Sequence, residues 1–127
     1  EQFPSNVSGY LTPLRTWADA GIPVLVLRDT PQPLVDVTSC VDKHRSASEA
    51  CDGDRSSWLP NDPLVVAASL VGEPVHVSDL TDLMCGEREC YSVIGGVLVY
   101  FDARHLSATF AATLGEFLQR DVEAALK

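Results

Sequence analysis

An aspartate and a histidine three residues apart form the pair in this sequence best suited to acid–base chemistry. They stand in the string Asp102-Ala103-Arg104-His105, between a strand-like segment and a helix-like segment. A turn of this length can bring a carboxylate beside an imidazole, so that one ring nitrogen stays protonated and the other accepts a proton. The same pattern also arises by chance, as a helix-capping aspartate followed by a surface histidine. The spacing therefore admits catalysis without establishing it.

Four cysteines fall into two local pairs, each of which flanks a polar segment. Cys40 and Cys51 flank the first segment, and Cys85 and Cys90 flank the second. Neither pair has the short gap typical of a zinc knuckle or a thioredoxin motif, so we expect neither a metal site nor a redox site. Three connectivities are possible, and local pairing is the most economical, with free buried thiols as the alternative. Each local disulfide would stabilise the fold by ~2–3 kcal/mol and would place the chain in an oxidising compartment outside the cytoplasm.

The length and the net charge of the chain limit the number of domains and the kinds of partner it can have. A chain of 127 residues predicts a single domain over 1–127 with one core. The net charge of −9 argues against nucleic acid and anionic membranes as partners, because both are polyanions. No apolar run approaches the ~18 residues of a membrane helix. The first residues lack a signal-peptide pattern, so if the protein is exported we expect that its signal was removed or that the chain was cut from something longer.

The elements that position the Asp–His pair follow from apolar periodicity and from helix and turn signals. Strand signals predict a continuous apolar strand from Ile22 to Leu27, buried on both faces, a short strand at 75–77 and a hairpin over 93–100 around a Gly-Gly turn. The first two strands should be parallel neighbours. Helix signals predict helices at 8–20 with Ser8 as cap, at 64–71 after an Asn61 cap, at 80–84 as a single turn, and at 107–125 with Ser107 as cap. Residues 34–60 read as irregular, and the whole order predicts an α/β fold.

The end of the chain resembles a known family. The stretch from Val77 to Ala111 resembles the end of the SGNH domains attached to membrane acyltransferases of the acyltransferase-three family. Those domains end in a cysteine-rich loop, a short hairpin, a Tyr-x-Asp-x-x-His-Leu-Ser/Thr motif and an amphipathic helix. The matching residues here are Cys85, Cys90, Val93 to Val99, Tyr100, Asp102, His105, Leu106 and Ser107. Upstream, GIPVLVLRDTPQP and Cys40 resemble the family's strand, Asp-Thr-Pro turn and cysteine loop.

The resemblance implies a fold, an activity and partners. The fold is an SGNH/flavodoxin-like three-layer α/β/α arrangement with a parallel sheet, of which this chain is the C-terminal portion, plus a short β-hairpin. The activity is that of an extracytoplasmic serine esterase or O-acyltransferase without a cofactor, in which Asp102 and His105 are catalytic. The partners are an acyl donor, a cell-envelope glycan or lipid acceptor, and a preceding multi-pass membrane domain that tethers the parent protein.

The sequence departs from the family at the nucleophile. The family's serine lies in an early Gly-Asp-Ser motif, and this sequence has no such string; the nearest, Gly53-Asp54-Arg55-Ser56, stands in the wrong context. We therefore expect the chain alone to be catalytically incompetent and to need a missing N-terminal SGNH segment. The alternative is a non-catalytic extracellular binding module on the same scaffold.

Other side chains have weaker functional readings. Asp29 and Thr30 follow the first strand and, with Arg104, are candidates for lining a substrate cleft, although a plain turn and a solvated arginine are the simpler roles. His44 is interpreted as a solvated loop residue without a ligand-spaced partner, and His76 as a strand residue. Trp17 is interpreted as a core residue.

Overall fold

The computed structural model of the protein describes residues 5–127, so the expectation about the first residues, 1–4, lies outside it. It contains helices, one parallel strand pair and short antiparallel strand pairs, which confirms the predicted α/β class. The helices are α1 Ser5–Asp19, α2 Val37–Lys43, α3 Arg55–Trp58, α4 Pro63–Val71, α5 Ala108–Thr113 and α6 Gly115–Ala125. The strands are β1 Val24–Leu27, β2 Gly53–Asp54, β3 Val75–Ser78, β4 Glu89–Cys90, β5 Val93–Ile94 and β6 Val97–Leu98. Two short 3₁₀ turns lie at Ser48–Cys51 and Thr81–Leu83.

The described residues form two compact units. Unit 1 contains the chain up to Asp29, Asn61–Asp79 and Phe117–Lys127. Unit 2 contains Thr30–Pro60 and Leu80–Glu116. Within the described residues, none of the helices has both the length and the hydropathy that crossing a membrane requires.

Unit 1 is built on the parallel strand pair that the sequence predicts. β1 pairs with β3 in register from Val24 opposite Val75 to Leu27 opposite Ser78. Side chains of the two strands and of α1 and α4 form one apolar core, made by Val7, Leu11, Leu14, Val26, Ala67, Ala68 and Val75. On α6, Asp121 accepts a hydrogen bond from the buried Ser78 hydroxyl, which ties that helix to the end of β3.

Several predictions for unit 1 were wrong in detail. α1 begins at Ser5, so Ser8 lies inside the helix and is not its cap. The predicted strand residue Ile22 lies outside β1, because its N–H donates to the Trp17 carbonyl at 3.0 Å in the turn that follows α1. β1 is also not buried on both faces, since Leu27 is 49% exposed. The N-cap of α4 is Asp62, which accepts the Leu64 N–H at 2.9 Å, and not Asn61.

Trp17 is not a core residue, contrary to expectation: it is 46% exposed. The buried face of α1 follows Val7, Leu11 and Leu14 and continues to Ala18, which packs against the same core. Because that stripe advances by four, three and four residues, Trp17 falls beside it and not on it.

Unit 2 has its own core, and local turns and both disulfides shape it. Its buried residues are Val37, Trp58, Met84, Cys85, Cys90, Val99, Tyr100, Phe110 and Leu114. Cys40 is bonded to Cys51 and Cys85 to Cys90, the two local pairs expected from the sequence. β5 and β6 form the predicted hairpin, with Gly95 and Gly96 at φ values of 58° and 76°, as a tight I′ turn requires.

Two predicted boundaries in unit 2 also differ. The segment 34–60 is not irregular throughout, because Asp36 caps α2 by accepting the Ser39 N–H, and α3 and the first 3₁₀ turn follow. The single helix expected over 107–125 is two helices: Ser107 caps α5, and α6 begins at Gly115. Glycine is a poor helix former, and the Leu114 N–H bonds to Ala111 three residues back, which tightens and ends the first helix there.

Replacing Tyr100 by phenylalanine is expected to leave the free energy of unfolding unchanged or to raise it by up to about 1 kcal/mol. The Tyr100 side chain is fully buried, its hydroxyl has no hydrogen-bond partner in the described residues, and burial raises the pKa of the phenol. Removing the hydroxyl therefore removes a desolvation cost without breaking a bond. Urea unfolding measures the change, with Tyr10→Phe at a 41% exposed position as the control. A loss of more than about 1 kcal/mol in Tyr100→Phe alone would show that the hydroxyl has a partner such as an ordered water.

Candidate active site

The Asp–His pair lies on a short loop whose two ends are held together. Tyr100 forms an antiparallel bridge with Leu106, and the Phe101 N–H donates to the His105 carbonyl at 3.0 Å. Just beyond the loop, the Ser107 N–H donates to the Val99 carbonyl at 2.8 Å. Because Val99 and Tyr100 are completely buried, the loop stands on a fixed base.

Within the loop, the two carboxylate oxygens of Asp102 contact different groups. Its Oδ1 accepts the backbone N–H groups of Arg104 and His105, each at 2.7 Å. Its Oδ2 lies 2.8 Å from His105 Nδ1. The backbone bonds hold the carboxylate in one orientation, and that orientation directs the second oxygen at the imidazole. This contact is the one that the three-residue spacing predicted.

These contacts also assign the proton on the ring. The Arg104 N–H, followed by the hydrogen bonds of His105, holds the pKa of the Asp102 carboxyl below its usual range. An ionised carboxylate only accepts hydrogen bonds, so His105 Nδ1 must carry the hydrogen between them. In the neutral ring, Nε2 is then the acceptor. This is the tautomer that a general base needs.

The imidazole ring is restrained on a second side. Phe101 stacks on His105 with ring centroids 5.6 Å apart and planes inclined by 21°. The Phe101 carbonyl accepts the hydroxyl hydrogen of Thr38, so α2 supports this part of the loop. Both rings are largely exposed, with Phe101 at 57% and the His105 side chain at 67%. The arrangement fixes the ring and keeps it open to a reactant.

Sequence reasoning did not find Phe101 and Thr38. Phe101 carried one usable signal, since it is a large aromatic residue directly before Asp102 in a turn. Thr38 carried none, because its contact depends on how α2 packs against a loop more than 60 residues away in sequence.

The predicted cleft residues are placed as follows. The Arg104 side chain is exposed, and its backbone N–H belongs to the Asp102 turn. Asp29 is in unit 1, where its backbone N–H donates to Asp62 Oδ2 at 3.0 Å, and Thr30 is in unit 2. Their role in binding a substrate stays a prediction.

The nearest string to a nucleophile motif does not form one. Gly53 and Asp54 make up β2, while Arg55 and Ser56 begin α3. The glycine is needed for packing, because a Cβ at position 53 would lie 2.0 Å from Trp58 Nε1. Among the described residues, no hydrogen bond connects Ser56 to His105. The segment therefore has a structural role in unit 2.

His44 is an exposed turn residue, as expected, but the prediction that it has no ligand-spaced partner was wrong. α2 places Cys40 and His44 one helical turn apart, and His44 Nδ1 lies 3.8 Å from Cys40 Sγ and 4.0 Å from Cys51 Sγ. The four-residue spacing between Cys40 and His44 was a usable signal once the segment is known to be helical. His76 lies in β3 opposite Leu25, as expected.

At low pH, protonation of the Asp102 carboxyl should lower the stability of the fold. A carboxyl whose pKa is lower in the folded state stabilises the fold above its unfolded pKa, ~3.9 for aspartate, and that contribution disappears as the pH falls through the folded pKa. The native protein should therefore lose stability below about pH 4 more steeply than Asp102→Asn. Urea unfolding at a series of pH values measures the difference, with the exposed Asp54→Asn as control. Parallel curves for the native protein and Asp102→Asn would contradict the assigned hydrogen bonds.

Comparison with known proteins identifies a family for this chain. The family model described as SGNH domain (fused to AT3 domains) matches residues 2–120. No curated protein and no solved structure matches the chain. The match covers nearly the whole sequence, including the loop that carries Asp102 and His105.

Proposed function

Because the chain belongs to the family of SGNH domains fused to AT3 domains, it is an esterase- or acyltransferase-like module, and we propose that Asp102 and His105 are its general-base pair. The observation that supports this role is the 2.8 Å contact from Asp102 Oδ2 to His105 Nδ1, which leaves Nε2 as the proton acceptor. An imidazole held in this way activates a serine hydroxyl for attack on an acyl ester.

The reaction proposed is serine acyl transfer. His105 Nε2 takes the proton of a serine hydroxyl as the oxygen attacks the carbonyl carbon of the ester. The imidazolium then gives that proton to the departing alcohol, and a second cycle with water or an acceptor hydroxyl releases the acyl group. Throughout, the Asp102 carboxylate stays ionised and stabilises the imidazolium, consistent with its lowered pKa.

The nucleophile is proposed to come from a separate segment with a Gly-Asp-Ser motif, since the 127 residues contain no such string. The chain would then be the C-terminal portion of one SGNH domain, with both units as parts of that domain. Exposed Phe101 and His105 leave room for such a segment to approach the imidazole. The cleft proposed for Asp29, Thr30 and Arg104 would be completed in the same way.

The proposed location is outside the cytoplasm. Two disulfides indicate an oxidising compartment, and the AT3 domains to which the family is fused supply a membrane acyltransferase partner. An acyl donor served by that partner and a cell-envelope glycan or lipid are the substrates that fit this setting.

The isolated chain is expected to show no ester hydrolysis above background, because a base without a nucleophile has nothing to activate. Joined to the Gly-Asp-Ser segment of its parent protein, it should gain hydrolysis of p-nitrophenyl acetate. The matched control is the same joined protein with the motif serine changed to alanine. Gain of activity that survives this change would contradict the serine mechanism. A joined, folded protein without activity that still binds envelope glycan would instead favour the non-catalytic binding module.

A further inference from the structure

The first disulfide differs from the second in what lies beside it. Cys40, His44 and Cys51 offer two sulfurs and one ring nitrogen that all lie within 4.8 Å of one another. His44 is exposed and Cys40 half-buried, so solvent reaches this cluster from the His44 side. Cys85 and Cys90 are both buried, and in the described part of the chain they belong to no comparable group.

The distances in this cluster are close to those of a shared metal ion. Zinc binds thiolate sulfur at ~2.3 Å and imidazole nitrogen at ~2.0–2.1 Å, so tetrahedral geometry separates a sulfur from a nitrogen by about 3.6 Å. The two sulfur-to-nitrogen distances observed are 3.8 and 4.0 Å. Two thiolates on one zinc ion lie about 3.8 Å apart. The changes needed are therefore the opening of the bond between the sulfurs and the release of His44 Nδ1 from the Cys40 carbonyl.

We propose that Cys40, His44 and Cys51 form a zinc-binding site when the disulfide between the two cysteines is reduced. The proposal does not depend on the esterase function. Two thiolates and one imidazole are the ligand set of a zinc site with one open position, which water would occupy. Zinc rather than calcium or magnesium is expected, because the sulfur and nitrogen ligands are too soft for those ions.

The three proposed ligands come from two elements that are adjacent in the chain. Cys40 lies in α2, His44 is the C-cap residue that follows it, and Cys51 ends the next 3₁₀ turn. In the disulfide form, His44 Nδ1 donates its hydrogen to the Cys40 carbonyl at 2.9 Å. Metal binding through Nδ1 requires that hydrogen to sit on Nε2 instead, and the exposed ring can exchange it with water.

Reduction of the disulfide requires an external reductant. A phosphine and one water molecule convert the disulfide to two thiols, and the phosphine becomes its oxide. Binding of one Zn²⁺ then releases one proton from each thiol, and the two thiolates and His44 share the ion. In an extracytoplasmic setting, a dithiol oxidoreductase would supply the two electrons and become a disulfide itself.

Cobalt(II) binding by the reduced chain tests the site, because thiolate ligation of cobalt gives a charge-transfer absorption and zinc displaces the ion. The chain is reduced with a phosphine, freed of reductant and titrated anaerobically. We expect one cobalt per chain with thiolate absorption, and no absorption from the oxidised chain. His44→Ala should weaken binding by at least about 10-fold, whereas His76→Gln should bind as the native chain does.

Two further measurements test whether the second cysteine pair binds cobalt and whether reduction loosens the fold. A chain with Cys40→Ser and Cys51→Ser, reduced in the same way, retains the second cysteine pair and should give no thiolate absorption at equal cobalt. If reduction loosens the fold, zinc should raise the Tm of the reduced native chain but not of reduced His44→Ala. Absence of thiolate absorption, equal binding by His44→Ala, or equal binding by the serine variant would each overturn the proposal.

Discussion

Replacing His105 by alanine in the completed domain is expected to lower kcat about 10⁴-fold or more, to the background rate. The imidazole is the proposed acceptor of the serine proton, so the substitution removes the base from the reaction. Substrate binding should change little, because the proposed role of His105 is to accept the reacting proton and not to bind remote parts of the substrate. Hydrolysis of p-nitrophenyl acetate, measured over a range of substrate concentrations, separates kcat from KM.

The matched control is His76→Gln, which removes a histidine from β3 and should keep activity within about 2-fold, as expected of a residue outside the reaction. Near-ultraviolet circular dichroism checks that both variants fold. Activity of His105→Ala within about 10-fold of the parent would be too small a loss for a general base and would show that another group performs this step.

A companion substitution, Asp102→Asn, tests the tautomer argument in the same assay. The asparagine Oδ1 can keep the two backbone bonds now made by Asp102 Oδ1. Its amide nitrogen would then face His105 Nδ1 as a donor, so the ring would carry its hydrogen on Nε2 and lose the acceptor. We expect kcat to fall about 10³–10⁴-fold with the loop intact. Equal activity of Asp102→Asn and the parent would refute the orienting role of the carboxylate.

The largest effect on stability is expected from Trp58→Ala, at about 3–5 kcal/mol in the free energy of unfolding. Trp58 is 2% exposed and packs edge-on against Tyr100, with ring centroids 6.2 Å apart. Gly53 approaches its indole so closely that no side chain would fit between them. Truncation would therefore leave a large cavity in the core of unit 2, beneath the base of the Asp–His loop.

The chain contains a natural control for this prediction, since its other tryptophan, Trp17, is 46% exposed. Trp17→Ala should cost less than about 1 kcal/mol, as surface substitutions usually do. Urea unfolding followed by far-ultraviolet circular dichroism suits both variants, because it does not depend on tryptophan emission. Similar losses in the two variants would mean that Trp58 is not the central packing residue of unit 2.

The sequence alone was sufficient wherever a feature depends on residues close together in the chain. The Asp102 and His105 contact, the two local disulfides and the Gly95-Gly96 hairpin each span at most about a dozen residues, so spacing and turn chemistry predict them. The parallel β1–β3 pair was also predictable, because a helix followed by an apolar strand is the repeating unit of such sheets.

Only the tertiary structure decided the features that depend on packing between distant segments or on the rotation of a helix. Trp17 and Trp58 have the same side chain, yet one lies beside the buried stripe of α1 and the other fills a core. Thr38 reaches the Phe101 carbonyl because α2 packs on that loop. His44 lies near the Cys40 sulfur because α2 is helical, and near the Cys51 sulfur because Cys51 is bonded to Cys40. A small error in where a helix begins or turns redirects each of its side chains, and no local pattern supplies that rotation. Local spacing thus determined the contact between Asp102 and His105, whereas long-range packing determined which helix supports their loop.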